Sequence, residues 1–207
     1  MGPEAHRFLA WAAGAGQRIW QVLPLGPTGA GNSPYGTHSA FAGNPLLISL
    51  ERIVEEGWLR REQLEEVTDV SPGRADFATA RRVKEPLLRN AWKSFRAAGG
   101  ADFEEYETFR RSEEQSFWLP DWALFSALKR RFQGAPWIDW SADLARREPA
   151  ALASARRELA EDLTSDAFLA LRVFVDDRVH AGTSVDAARL AEGDVLAGDV
   201  LQLDRHV

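Results

Sequence analysis

The 207-residue sequence contains no cysteine. Disulfides, thiolate metal sites and a cysteine nucleophile are thereby excluded. Histidine is scarce, with four in the chain. No two of them are spaced as a metal-binding pair on a helix, so a zinc enzyme is not expected. Lysine is scarcer still: of 25 basic residues only Lys84, Lys93 and Lys129 are lysine. With the abundant alanine, that bias points to a GC-rich coding sequence. No apolar run approaches membrane-spanning length. The stretch after Met1 has no basic region ahead of an apolar one, and Glu4 comes early, which argues against a secretory signal. Residues Gly2 to His6 also lack the Ser or Thr of a myristoylation signal. A reducing, cytoplasmic setting is therefore expected.

What is present is enough for a folded protein. Apolar residues make up 45 % and charged residues 27 % of the chain, the balance of an ordinary soluble domain with a real core. The formal net charge is -6, which supplies no attraction for nucleic acid or an anionic membrane surface. Basic residues alternate with acids, as at Glu51-Arg52 and Arg61-Glu62, in the manner of solvated helix faces.

Residues from Pro3 read as a helix with Ala5, Phe8, Leu9 and Ala12 on one face, stopped by Gly14 and Gly16. The run IWQVLPL, Ile19 to Leu25, lies between Gly16 and Gly26-Pro27 and reads as a buried strand. Residues 26–45 are rich in Gly, Pro, Ser and Asn, and no regular element fits them. Tyr35, Phe41 and the apolar run that follows favour an ordered, functional loop. Ser49 is placed to cap a helix ended by Gly57. Beyond a turn at Ser71-Pro72-Gly73, helices are expected over Phe77–Ala98, Asp102–Trp118 and Asp121–Phe132. Trp137 and Trp140 flank a turn, and Ala145 to about Val175 reads as one long helix. A short amphipathic helix is plausible within residues 181–207.

Within residues 2–50, WQVLPLGPTG, then SPY, then SAFAGNP follow one another in close order. These blocks resemble the amylomaltase, or 4-α-glucanotransferase, family. The likeness continues more weakly through Phe117-Trp118-Leu119, Asp121 to Lys129, PWIDW and a helix near Phe168. The resemblance implies a (β/α)8 barrel with helical insertions. It implies transfer of α-1,4-glucan segments between maltooligosaccharides by a retaining mechanism, with no metal and no organic cofactor. In such barrels the loops after the strands build the active site, so loop 26–45 is the expected glucan surface. Tyr35 has a ring face and a hydroxyl, Ser33 and Asn32 are compact polar groups beside it, and Pro34 completes the SPY motif. These four are the candidate substrate-binding residues, while Phe41 is expected to pack. The family commonly carries an aromatic where Ala30 stands, and a glutamine followed by a polar–aromatic pair where Gly36, Thr37 and His38 stand. His38 reads as an exposed or locally bonded side chain. Trp11, Trp92, Trp118 and Trp122 sit among apolar residues at helical positions, and core packing is expected for each.

Retaining transfer needs two carboxyl groups about 5 Å apart. The contexts in which the resemblance would place them are absent, so no catalytic residue is assigned. The many acids on helix faces, such as Glu104-Glu105 and Glu161-Asp162, read as solvated charge. The likeness breaks near residue 170, where a frameshift or misassembly in a GC-rich gene is the expected cause. The fold class expected is α/β: a partial (β/α)8 barrel fragment with a mostly α-helical insertion, helix-rich overall. Residues 1–50 would form the first barrel portion, 51–175 the helical insertion and 176–207 a divergent tail. Such a fragment is expected to be inactive alone and to self-associate through exposed barrel edges. The alternative is a non-catalytic glucan-binding or helical interaction module.

Overall fold

The computed structural model of the chain describes residues 2–65, 75–175 and 200–202. The turn expected at residues 71–73 and the helix expected within 181–207 lie outside the described residues. Helix α1 (Pro3–Gly14) starts where Pro3 needs no hydrogen-bond partner for its nitrogen, and Gly16 follows it at φ +83°. Strand β1 (Ile19–Gln21) comes next. Loop 26–45 leads into helices α2 (Leu50–Glu55) and α3 (Glu62–Glu65). Helices α4 (Phe77–Ala98), α5 (Gly100–Arg110), α6 (Glu113–Ser116) and α7 (Leu119–Arg131) follow. A 3-10 turn at Trp137–Asp139 precedes α8 (Ala142–Ala145), α9 (Pro149–Glu158) and α10 (Ala160–Val175). Strand β2 (Val200–Gln202) pairs antiparallel with β1, Trp20 opposite Leu201.

Caps explain several boundaries. The Ser49 hydroxyl accepts from the Arg52 N–H at 3.3 Å, and the Asp76 carboxylate accepts from Thr79 N–H at 3.0 Å. The stretch Asp102–Trp118, expected as one helix, divides at Arg111 and Ser112. Ala145–Val175, expected as one helix, is broken twice. Arg147 adopts a left-handed φ of +57°, with Pro149 starting the next helix, and the chain turns again at Leu159.

The core packs α4, α7 and α10 together with the loop exit. Ile48, Ile53, Leu88, Ala91 and Leu171 are essentially sealed from solvent. Trp58, Trp92, Phe95, Phe103, Tyr106 and Phe168 form an aromatic cluster beside them, with Trp92 and Phe168 centroids 5.0 Å apart. A smaller cluster joins Leu124, Leu128, Trp140 and Ala155, where Phe132 stacks on Trp140 at 5.4 Å.

Two expectations about the N-terminal segment need correction. The strand ends at Gln21, not Leu25, and Ile19 and Leu23 are exposed. Among the described residues its only strand partner is β2, so no parallel neighbour covers it. Trp11 is 68 % exposed, its ring touching Phe8 at 5.7 Å, because α1 buries only Ala12. Trp92, by contrast, lies in the core, and Trp118 and Trp122 pack against it.

Candidate functional site

Loop 26–45 closes on itself through its backbone. The Asn44 N–H donates to the Leu25 carbonyl at 2.8 Å, which brings the two feet together. Higher up, Thr28 and Thr37 pair as an antiparallel bridge. Gly29 N–H donates to the Gly36 carbonyl at 3.2 Å, and His38 N–H to the Pro27 carbonyl at 3.0 Å. These contacts form a neck. Gly26 is required beneath it, since a Cβ there would lie 2.3 Å from the Thr37 hydroxyl oxygen and 2.9 Å from the Ser39 carbonyl.

The neck carries Asn32, Ser33, Pro34 and Tyr35 at its tip. Asn32 is left-handed at φ +54°, a region asparagine enters more readily than most residues. Its side-chain oxygen is shielded from solvent and accepts no hydrogen bond. Pro34 opens a 3-10 turn, Pro34–Gly36, closed by the Gly36 N–H on the Ser33 carbonyl at 3.0 Å. Ser33 is exposed and Pro34 half-buried. Tyr35 points outward and is 73 % exposed. The tip is therefore a rigid turn presenting an aromatic face, a phenol and a serine hydroxyl.

The helices hold this loop from several sides. Arg81 of α4 donates to the Thr28 hydroxyl at 3.2 Å. One turn along, Lys84 donates to the carbonyls of Leu46 at 2.6 Å and Ile48 at 2.8 Å. Burial pushes the Lys84 ammonium below its ordinary range, and the charge of Glu51 partly offsets this. His38 sets its ring edge-on to Phe125 of α7 with centroids 5.7 Å apart. Partial burial, and secondly the charge of Lys129, hold its imidazole below the usual value. Phe41 lies against Phe117 at 5.1 Å and Trp118 at 5.8 Å, yet half its surface remains open. Arg81 and Lys84 had no local sequence signal, because their partners lie 36 to 53 residues away.

The charge distribution around the loop is one-sided. From Ala5 to Leu50 the sequence has no aspartate or glutamate. The tip therefore contains neither a carboxylate nucleophile nor a carboxylic acid. Elsewhere, hydrogen bonds hold Asp76, Glu107, Asp143 and Glu158 below the usual carboxylate range, donated chiefly by Thr79, Arg110, Ser141 and Arg131. A general acid working near neutrality needs the opposite shift. Asp162, expected to be simply solvated, instead joins Asp166 in an ion cluster with Arg89 and Arg130.

The chain belongs to the 4-alpha-glucanotransferase family, glycoside hydrolase family 77, whose model matches residues 1–180. The 4-alpha-glucanotransferase of Thermus thermophilus is 43 % identical over 169 residues, covering 81 % of this chain and 33 % of that protein. The Synechocystis 4-alpha-glucanotransferase is 43 % identical over 152 residues, 73 % of this chain and 30 % of that protein. The chloroplastic/amyloplastic enzyme of Solanum tuberosum is 40 % identical over 156 residues, again 73 % of this chain and 27 % of that protein. Among solved structures, amylomaltase from Streptococcus agalactiae in complex with acarbose superimposes with a TM-score of 0.73 at 28 % identity. That match covers 84 % of this chain and 36 % of the other. The chain thus spans about a third of the length of the relatives it matches. Among the described residues no helix is long and apolar enough to cross a membrane.

Proposed function

We propose that the chain forms the loop-bearing, helix-rich part of a 4-α-glucanotransferase that moves α-1,4-glucan segments between maltooligosaccharides. Residues 1–50 belong to a (β/α)8 barrel, residues 51–175 form its helical insertion, and residues 176–207 diverge. The loop 26–45 lines the glucan site. There the Tyr35 ring stacks on a pyranose face and its hydroxyl, with Ser33 and Asn32, meets sugar hydroxyls, while Pro34 sets the turn. The observation that carries this reading is the exposed Tyr35 on a turn closed by the Gly36 N–H on the Ser33 carbonyl, in a chain of this family.

The reading assigns no bond-breaking step to these residues. Retaining transfer requires a nucleophilic carboxylate and a carboxylic acid about 5 Å apart, and the loop has neither. Turnover therefore depends on carboxylates beyond the motifs present here, and the 207-residue chain binds glucan without converting it. Uncovered apolar residues on α1 and β1, such as Trp11 and Ile19, favour self-association of this chain by itself. A chain without cysteine fits a reducing, cytoplasmic site of action.

Titrating maltoheptaose against intrinsic tryptophan fluorescence tests the binding. Saturable binding by the unsubstituted chain, weakened by Tyr35→Ala, is the expected result. A glucan-independent helical module would show no binding at all. Incubation with maltotriose should release no glucose and form no longer products; measurable turnover would refute the assignment of an incomplete site.

A further inference from the structure

The neck beneath the Tyr35 turn is gripped from two helices at two opposite points. On one strand of the neck, Thr28 accepts from Arg81 of α4 at 3.2 Å. On the other, the His38 ring sits edge-on against Phe125 of α7 at 5.7 Å. Between these points lie the Thr28–Thr37 bridge and the Gly29–Gly36 hydrogen bond. Gly29 lies directly under the imidazole, since a Cβ there would stand 3.3 Å from both Cε1 and Nε2 of His38. Neither Arg81 nor His38 belongs to the tip, yet the Thr28–Thr37 bridge and the His38 N–H bond to Pro27, which close the neck below it, run through the residues they hold.

We infer that Arg81 and His38 are positioning residues: their grip on Thr28 and on the His38 strand fixes the orientation of Tyr35 and so sets glucan affinity. The inference rests on the reading of Tyr35 as a glucan contact. The mechanism is one of prepaid ordering. A turn held in its bound geometry loses less conformational freedom when the sugar arrives than a turn on a free neck.

The two grips differ in chemistry, and the difference is measurable. Arg81 offers a guanidinium N–H to the Thr28 hydroxyl. His38 titrates, and the charged group facing it from α7 is Lys129; Phe125 and Gly29, its other neighbours, carry no charge. Partial desolvation and the nearby ammonium both disfavour the imidazolium. A free neck would protonate His38 near its ordinary pKa of about 6.5, whereas the docked neck protonates lower. Docking is therefore at full strength above that value and weakens as pH falls below it, until the docked form also protonates.

Maltoheptaose titrations at several pH values, with thermal melts of each variant, test the inference. Arg81→Ala should weaken binding about fivefold, the scale of one lost side-chain hydrogen bond, with a melting temperature close to that of the parent. Arg81→Lys, which keeps a donor, should recover part of the loss. The parent should lose affinity as pH falls from 7 to 5, and His38→Gln should flatten that profile. Amide exchange at Gly29 and Gly36 should quicken in Arg81→Ala. If Tyr35→Ala abolishes binding while Arg81→Ala and His38→Gln leave both affinity and its pH profile unchanged, the grip has no positioning role and the inference is overturned. If the unsubstituted chain fails to bind, the Tyr35 reading itself is wrong and this inference falls with it.

Discussion

Gly43 and Val173 are in direct backbone-to-side-chain contact: a Cβ on Gly43 would lie 2.5 Å from the Val173 Cβ and 2.8 Å from its Cγ2. The Gly43 N–H also donates to the Ala170 carbonyl at 3.0 Å. The exit of the loop is thus pressed onto the last turns of α10. Gly43→Ala should therefore cost about 1–3 kcal/mol, the scale of overpacking in a dense core. Urea unfolding monitored by tryptophan fluorescence would measure it. Val173→Ala in the same chain should relieve part of the loss: it removes both Cγ atoms but keeps the Cβ that stands closest.

The Asp166 carboxylate is 4 % exposed and lies 2.9 Å from Arg89 and 3.1 Å from Arg130. It joins α4, α7 and α10 at one point, and Asp162 bridges the same two guanidiniums. Asp166→Asn keeps the shape but leaves two arginines sharing one partner. Both arginines retain some solvent contact, and Asp162 stays, so the loss should fall below the roughly 3–5 kcal/mol of a broken buried pair, at about 2 kcal/mol. Chemical denaturation of the variant, with the double variant Asp162→Asn/Asp166→Asn beside it, would show a coupled rather than additive loss.

Glu107 is held below the usual carboxylate range first by hydrogen bonds from Arg110, against the opposing effect of burial, with the charges of Arg110 and Arg111 adding to the depression. Its folded-state pKa lies below its unfolded one. It therefore contributes stability that is complete above about pH 5 and is lost as pH falls from the unfolded value of about 4.3 through the folded one. Glu107→Gln should lower stability at pH 7 and make the melting temperature less sensitive to pH across that acid window. An unchanged slope in the variant would assign the acid sensitivity to other groups.

Much of the local structure was legible in advance because it depends on neighbours in sequence. Ser49 accepts from Arg52 at the start of α2, three residues on, so the pattern is visible without a fold. The Asp76 cap on Thr79 has the same spacing, though from the sequence only the helix start beside it is expected. The loop 26–45 was legible for the same reason, through its glycines and prolines. The long helix expected across 145–175 failed because apolar periodicity continues over Arg147 and Leu159 although the backbone does not. Trp11 failed in another way. Its helical spacing is that of a core residue, but exposure depends on what lies opposite, and α1 has little against it.

By itself, then, the sequence determined the Ser49 cap, the irregular loop 26–45, the absence of acids from residues 5–50 and membership of the family. All of these reside in contiguous residues. Only the tertiary structure decided that Arg81 reaches Thr28, that His38 rests on Phe125, and that Asp162 and Asp166 join two arginines from other helices. Those contacts join residues tens of positions apart. The hydrogen bonds and ion pairs among them gain strength in a partly water-excluded setting that exists only after the chain has folded.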